Sequence, residues 1–306
     1  MGGGGGGYSI SSGEMGELRR EVEERTRRTL ATSEINALLG EELARMNERD
    51  TQKVREQLEK IEQALDAEIG GLDTLLFGGS VAKHTFVDGL SDIDSLVILD
   101  REELAGLSPD EVRERFGDVL RAKLAGGDVA DVLTGNMAVT LVYRDGTEIQ
   151  LLPAIRRGDE VQISSADGQS WKWIEPRRFA ERLTEVNQAQ RRQVVPAIKL
   201  AKSIIAGLPE DQRLSGYHVE ALAVAAFTGY NGSTTPREML THLFESASRG
   251  VLSPAPDATG QSVHIDEALG PANSRQRQAC ARALGGIARR MREASRAEDW
   301  RELLGQ

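Results

Sequence analysis

Of its 306 residues the sequence spends only one on cysteine, Cys280. No intramolecular disulfide can form, and the lone thiol is expected to be a small apolar residue on a helix. The four histidines are scattered along the chain, so no zinc ribbon or finger can be assembled from them. No stretch approaches the roughly 20 apolar residues of a membrane span, and the N-terminal segment lacks the apolar core of a secretory signal. A cytoplasmic protein without a membrane partner is therefore expected. Positive charge is also short: 38 Lys and Arg stand against 48 Asp and Glu, a net charge of -10. Duplex binding depends on neutralising many phosphates, so dedicated DNA binding is not expected, and any polyanion must be met by a local basic patch.

What the chain does hold is a 39 % hydrophobic content, enough for one large domain or two smaller ones. Residues 1–13, MGGGGGGYSISSG, read as a disordered glycine-rich tail, because glycine repeats bury nothing and lose the most backbone entropy on ordering. Residues 14–70 place Leu18, Val22, Ile35, Leu38, Leu39, Leu58, Ile61 and Leu65 at helical spacing. Ser33 before Glu34, and Asp50-Thr51, are candidate N-caps, predicting two or three helices that end at Gly70-Gly71.

Residues 71–175 interleave strand and helix. Strands are predicted over Leu72 to Phe77 and Ile93 to Leu99, a helix over 101–125, and a hairpin from Met137–Tyr143 and Thr147–Leu152. Arg144-Asp145-Gly146-Thr147 suits a type I′ turn, and Pro153 is expected to close the second strand. From Pro176 to the end, residues 176–306, the signals are helical, with the polar stretch TGQSVHIDEALGP as an irregular loop. The pairs Arg177-Arg178 and Arg191-Arg192 read as helix surface.

The chemistry concentrates in residues 78–99, GGSVAKHTFVDGLSDIDSLVIL. Asp92 and Asp94 alternate along a strand and so share one face. Like charges so placed repel unless a cation lies between them. A pair of divalent ions about 3.5 to 4 Å apart is the commonest use of such carboxylates, with Mg2+ the hard ion that oxygen ligands and triphosphates select and Mn2+ an alternative. Separated from Asp92 by eleven residues, Gly78, Gly79 and Ser80 read as a turn whose N–H groups and hydroxyl can cradle phosphate.

GGS followed by SDIDSLVIL resembles the signature of polymerase-beta-like nucleotidyltransferases. TEIQLLPAI, VVPAIKLAKSII and SGYHVEALAVAAF are similar, in order and spacing, to segments of oligoadenylate synthases and of the bacterial cGAS/DncV-like nucleotidyltransferases. The resemblance covers about residues 40–290. It implies an α+β fold, in which a mixed nucleotidyltransferase sheet is joined to a helical lobe by a long N-terminal spine helix, with the nucleotide cleft between the lobes.

The resemblance also assigns residues. Asp92 and Asp94 become metal-binding and catalytic. The third acid's usual slot is Gln150, a neutral amide that coordinates weakly and cannot serve as a general base. Glu148, two residues earlier on the same face, is the expected substitute, and Gln150 is expected among the nucleotide-binding residues with Gly79 and Ser80. Lys199 and Lys202, three apart on one helical face, match basic residues that contact a triphosphate. Tyr217 matches a base-stacking aromatic, with Ser215 beside it. Trp171 and Trp173 are expected in lobe packing, with a base platform the alternative, and His84 lies in the loop after the GGS turn.

The function so implied is Mg2+-dependent joining of nucleoside triphosphates, ATP among them, into a cyclic di- or trinucleotide second messenger of antiphage signalling. An operon-encoded regulator or effector is the partner such a role implies. Two alternatives stand beside it: transfer of a nucleotide to a protein, small molecule or RNA end, and a silent nucleotide- or partner-binding protein, which Gln150 favours.

Overall fold

The two N-terminal helices serve different halves of the molecule. The computed structural model describes residues 12–48, 51–69, 72–76, 93–99, 106–135, 138–158, 160–165, 169–175, 178–256 and 265–306. Helix α1, Ser12–Glu48, is one unbroken element of 37 residues, and the predicted cap at Ser33 lies in its interior. The helix runs through because the residues after Ser33 have somewhere to go: Ile35, Leu38, Leu39 and Met46 are buried in the core of the helical lobe. Its first part is exposed, with Val22 and Leu30 in water, and is supported by Glu-to-Arg spacings of four residues, Glu24 pairing with Arg28. Helix α2, Thr51–Glu68, instead lays Leu58, Ile61 and Leu65 on the sheet.

Seven strands form that sheet: β1 Leu72–Leu76, β2 Ile93–Leu99, β3 Val129–Thr134, β4 Val139–Tyr143, β5 Glu148–Arg157, β6 Glu160–Ser164 and β7 Trp171–Ile174. The order is β1-β2-β5-β4-β3, with β6 and then β7 continuing from the far half of β5. Only β2 and β5 are parallel among these pairings. Pro153 does not close its strand. β5 pairs with β4 up to Leu151 and with β6 from Ala154 onward, so the proline, which has no N–H to give, stands where one partner ends and the next begins. The β4–β5 turn also differs from the predicted type I′. Gly146 alone has positive φ, at 87°, its N–H bonds Tyr143 O, and the Tyr143 N–H bonds Thr147 O, a type I turn with a glycine bulge.

Helix α3, Pro109–Leu124, begins at a capping box in which Ser108 and Glu111 bond each other's backbone N–H at 3.3 and 2.8 Å. With α2 it covers one sheet face, where Phe116 and Leu120 meet Val97, Leu141, Ile149 and Leu151. The opposite face carries a smaller cluster, Leu96, Ile98, Ala154, Val161 and Ile163. Trp171 packs into the α3-side core and donates its indole N–H to Leu107 O at 3.1 Å, while Trp173 on the edge strand is 48 % exposed. The expected lobe packing therefore holds for Trp171 and fails for Trp173.

Six helices complete the described chain: α4 Arg178–Ala189, α5 Val194–Ala206, α6 Gly216–Phe227, α7 Pro236–Gly250, α8 Arg275–Glu293 and α9 Ala297–Leu303. Arg191 and Arg192 are not helix surface. Both adopt left-handed φ, 54° and 63°, in the α4–α5 turn, where the Asn187 side chain accepts from the N–H groups of Val194 and Val195 at 3.1 and 3.2 Å. Residues 257–264 of the loop before α8 lie outside the described residues; its remainder includes a 3-10 turn, Glu267–Leu269, and buried Arg277 organises it by donating to the carbonyls of Val251, Ser253, Asp266 and Gly270 and to the Asp266 carboxylate at 2.6 Å. Helix α1 fastens to this lobe through Arg237 of α7, whose backbone N–H meets Asn36 Oδ1 and whose guanidinium meets Thr32 Oγ1, both at 3.0 Å.

Candidate active site

The parallel pairing of β2 with β5 sets Asp94 directly opposite Gln150, and the β4 pairing sets Thr140 on Gln150's other side. Partners in register share a face, so Asp94, Gln150 and Thr140 form one row across the sheet. Ile149 and Leu151 belong to the core under α2 and α3, so this row lies on the opposite face of the sheet. Glu148 belongs to the same face, about 6.5 to 7 Å along β5, and is exposed. The register thus keeps the expected third acid on the side of Asp94. Asp92, Gly79, Ser80 and His84 lie outside the described residues. Among the described residues no group of three His, Cys, Asp or Glu could hold a metal ion.

In the helical lobe, Lys199 and Lys202 of α5 have very different surroundings. Lys202 is sealed in the lobe, its Nζ 2.8 Å from Glu220 Oε1, with the two side chains 3 % and 1 % exposed. It lies beneath the start of α6: a Cβ on Gly216 would approach Lys202 Nζ to 3.2 Å. Lys199 is half-buried and donates to Asn47 Oδ1 of α1 at 2.6 Å. Burial lowers the Lys199 pKa, and the charge on Lys202 lowers it further.

Ser215 caps α6, its Oγ accepting from the His218 N–H at 3.2 Å. Tyr217, partly buried, sets its ring edge-on to Phe179 with centroids 4.7 Å apart. One turn into α6, His218 Nε2 lies 3.4 Å from Asp266 Oδ2, and Arg277 clamps the same carboxylate. Burial pushes the His218 pKa down to about 4; Asp266 opposes that shift and Arg277 adds to it. The imidazole is therefore neutral at pH 7. Sequence reasoning missed Asn47 and Glu220, which reach the lysines from α1 and α6 and carry no local signal of doing so.

Residues 32–187 match the family model of the Second Messenger Oligonucleotide or Dinucleotide Synthetase domain, just over half of the chain. The chain belongs to this family. The match begins at Thr32, where α1 first touches the lobe, and runs through β7 into α4. This synthetase is a nucleotidyltransferase, and its fold is that of the cGAS/DncV-like enzymes. Its structure is similar to that of Escherichia coli MS115-1 CdnC with ATP (TM-score 0.63, 14 % identity, 87 % of this chain and 92 % of that one). It is also similar to Bradyrhizobium diazoefficiens CdnG in complex with GTP (TM-score 0.59, 17 % identity, 79 % and 86 % covered). A third likeness is to Vibrio cholerae DncV cyclic AMP-GMP synthase in complex with a linear intermediate (TM-score 0.59, 12 % identity, 93 % and 86 % covered). No curated protein matches the sequence. Among the described residues no helix is long and apolar enough to cross a membrane.

Proposed function

We propose that the protein joins nucleoside triphosphates, ATP among them, into a cyclic di- or trinucleotide, in a cleft between the sheet face that carries Asp94 and helices α5 and α6. The observation that carries this is the β2–β5 register, which brings Asp94 opposite Gln150 with Glu148 on the same face. Two carboxylates and an amide oxygen are hard donors suited to Mg2+, so Asp94 and Glu148, together with Asp92 from the sequence motif, would hold two such ions, with Mn2+ an alternative. Magnesium when bound would lower the pKa of the attacking ribose hydroxyl and offset charge on the α-phosphate. The new bond joins that oxygen to the α-phosphorus as the bond to pyrophosphate breaks.

The chain's own residues bind and orient. Lys199 contacts the triphosphate and Gly79 and Ser80 of the sequence motif cradle it, while Lys202, its charge matched by Glu220, supports the start of α6 from within the lobe. Ser215 and Tyr217 border the base, and Gln150 offers an amide to the nucleotide. Such positioning is where most of the rate enhancement of nucleotidyl transfer arises. The product would serve as a second messenger of cytoplasmic antiphage signalling, with a regulator or effector encoded nearby. Gln150 at the proposed metal site supports one other reading, a silent nucleotide-binding protein. Pyrophosphate release from ATP and GTP separates the two: release that disappears in Asp94→Ala supports synthesis, and MgATP binding without release overturns it.

A further inference from the structure

Lys199 and Lys202 are three residues apart on one helix, yet they meet acceptors of different charge. Lys202 is matched by the Glu220 carboxylate at 2.8 Å. Among the described residues the hydrogen bond of Lys199 goes to an amide oxygen, Asn47 Oδ1, at 2.6 Å. An amide accepts a hydrogen bond and contributes no net charge. The ammonium of Lys199 is thereby fixed in place, and among the described residues no carboxylate pairs with it. Holding such a charge half-buried beside Lys202 is unfavourable, as the lowered pKa of Lys199 records. A carboxylate at position 47 would relieve that strain, and the protein has an amide there instead.

We propose that Asn47 is the positioning residue of the triphosphate subsite: from the last turn of α1 it holds the Lys199 ammonium with a neutral acceptor, leaving the charge free for a phosphate. This rests on the nucleotide reading above. It also assigns α1 a role beyond packing, because the acceptor comes from 152 residues away in sequence and is in place only when α1 is seated on the lobe. The subsite is therefore complete only with the N-terminal helix docked.

The test is MgATP binding and thermal melting of the full chain, for the unaltered protein and for Asn47→Ala, Asn47→Asp and Lys199→Ala. Asn47→Asp keeps the hydrogen bond and adds a charge that competes with phosphate, so it should weaken MgATP binding roughly tenfold or more, the loss expected when a charge-assisted contact is neutralised. It should also flatten the salt dependence and melt no lower than Asn47→Ala, which should weaken binding only a few-fold. A purely structural role predicts the opposite order, with Asp sparing binding and Ala losing most, and that order overturns the proposal. Asn47→Glu carries the same prediction if the Asp variant lacks a melting transition. If Lys199→Ala binds MgATP as tightly as the unaltered protein, Lys199 is not part of the subsite and the proposal is overturned; if the unaltered protein itself does not bind MgATP, the nucleotide reading fails.

Discussion

Lys202 Nζ and Glu220 Oε1 lie 2.8 Å apart with almost no exposure to water, so the second lysine of the KLAK segment is part of the lobe's interior. Removing one partner of a buried pair leaves an uncompensated charge, which typically costs about 3 to 5 kcal/mol. Lys202→Met and Glu220→Gln should each destabilise by that order in denaturant unfolding. The double variant Lys202→Met, Glu220→Leu should recover much of the loss. Equal stability of the single variants and the unaltered protein would show that the pair does not hold α5 to α6.

Acid should weaken the lobe in two steps. The His218 pKa is depressed from 6.5 to about 4, so between those values the unfolded chain binds a proton that the folded chain does not. Its contribution is therefore complete above pH 6.5 and is lost as pH falls toward 4, a loss of roughly 3 kcal/mol. Burial raises the Asp266 pKa, but hydrogen bonds from Arg277 and the Ala255 N–H, with the nearby positive charges, outweigh it and hold the carboxyl below 3.8. Its contribution is lost only as pH falls below that value. Melting temperatures of His218→Gln should fall less between pH 6.5 and 4 than those of the unaltered protein.

The α4–α5 turn should respond to single changes. Asn187→Ala removes the acceptor for the first N–H groups of α5 and should cost about 1 kcal/mol. Arg192→Gly relieves a left-handed φ of 63° and should stabilise slightly or be neutral. Urea midpoints of the two variants should move in opposite directions.

Glu148 and Gln150 share one strand face, and only one of them can supply a negative charge to the proposed metal site. Glu148→Gln should lower the rate of pyrophosphate release by roughly a hundredfold, the scale seen when one charge-stabilising group is lost. Gln150→Glu in that background should restore part of it. An undiminished rate in Glu148→Gln would remove Glu148 from the site.

The nucleotidyltransferase core was legible because its signals are local. The apolar alternation of Ile93 to Leu99 declares β2, and the Asp-Gly turn marks the β4–β5 hairpin. The short strands β3 and β6 and the helix α7 were not singled out, since their neighbours, not their own spacing, decide them. The continuation of β5 past Pro153 depends on an exchange of partners that no spacing reveals. Within the site, the sequence showed Lys199 and Lys202 as equivalents. Their difference is set by Asn47 and Glu220, one brought in by α1 from 152 residues away and the other by α6. Burial and long-range pairing decided what residue type alone could not.

The most direct measurement incubates the purified protein with all four labelled nucleoside triphosphates and Mg2+, then applies phosphatase and mass spectrometry, beside Asp92→Ala and Asp94→Ala. The expected result is a phosphatase-resistant oligonucleotide made by the unaltered protein and absent from both variants, its mass giving bases and ring size. Label on a protein, RNA or small-molecule acceptor, or MgATP binding with no product and no pyrophosphate, would contradict cyclic oligonucleotide synthesis.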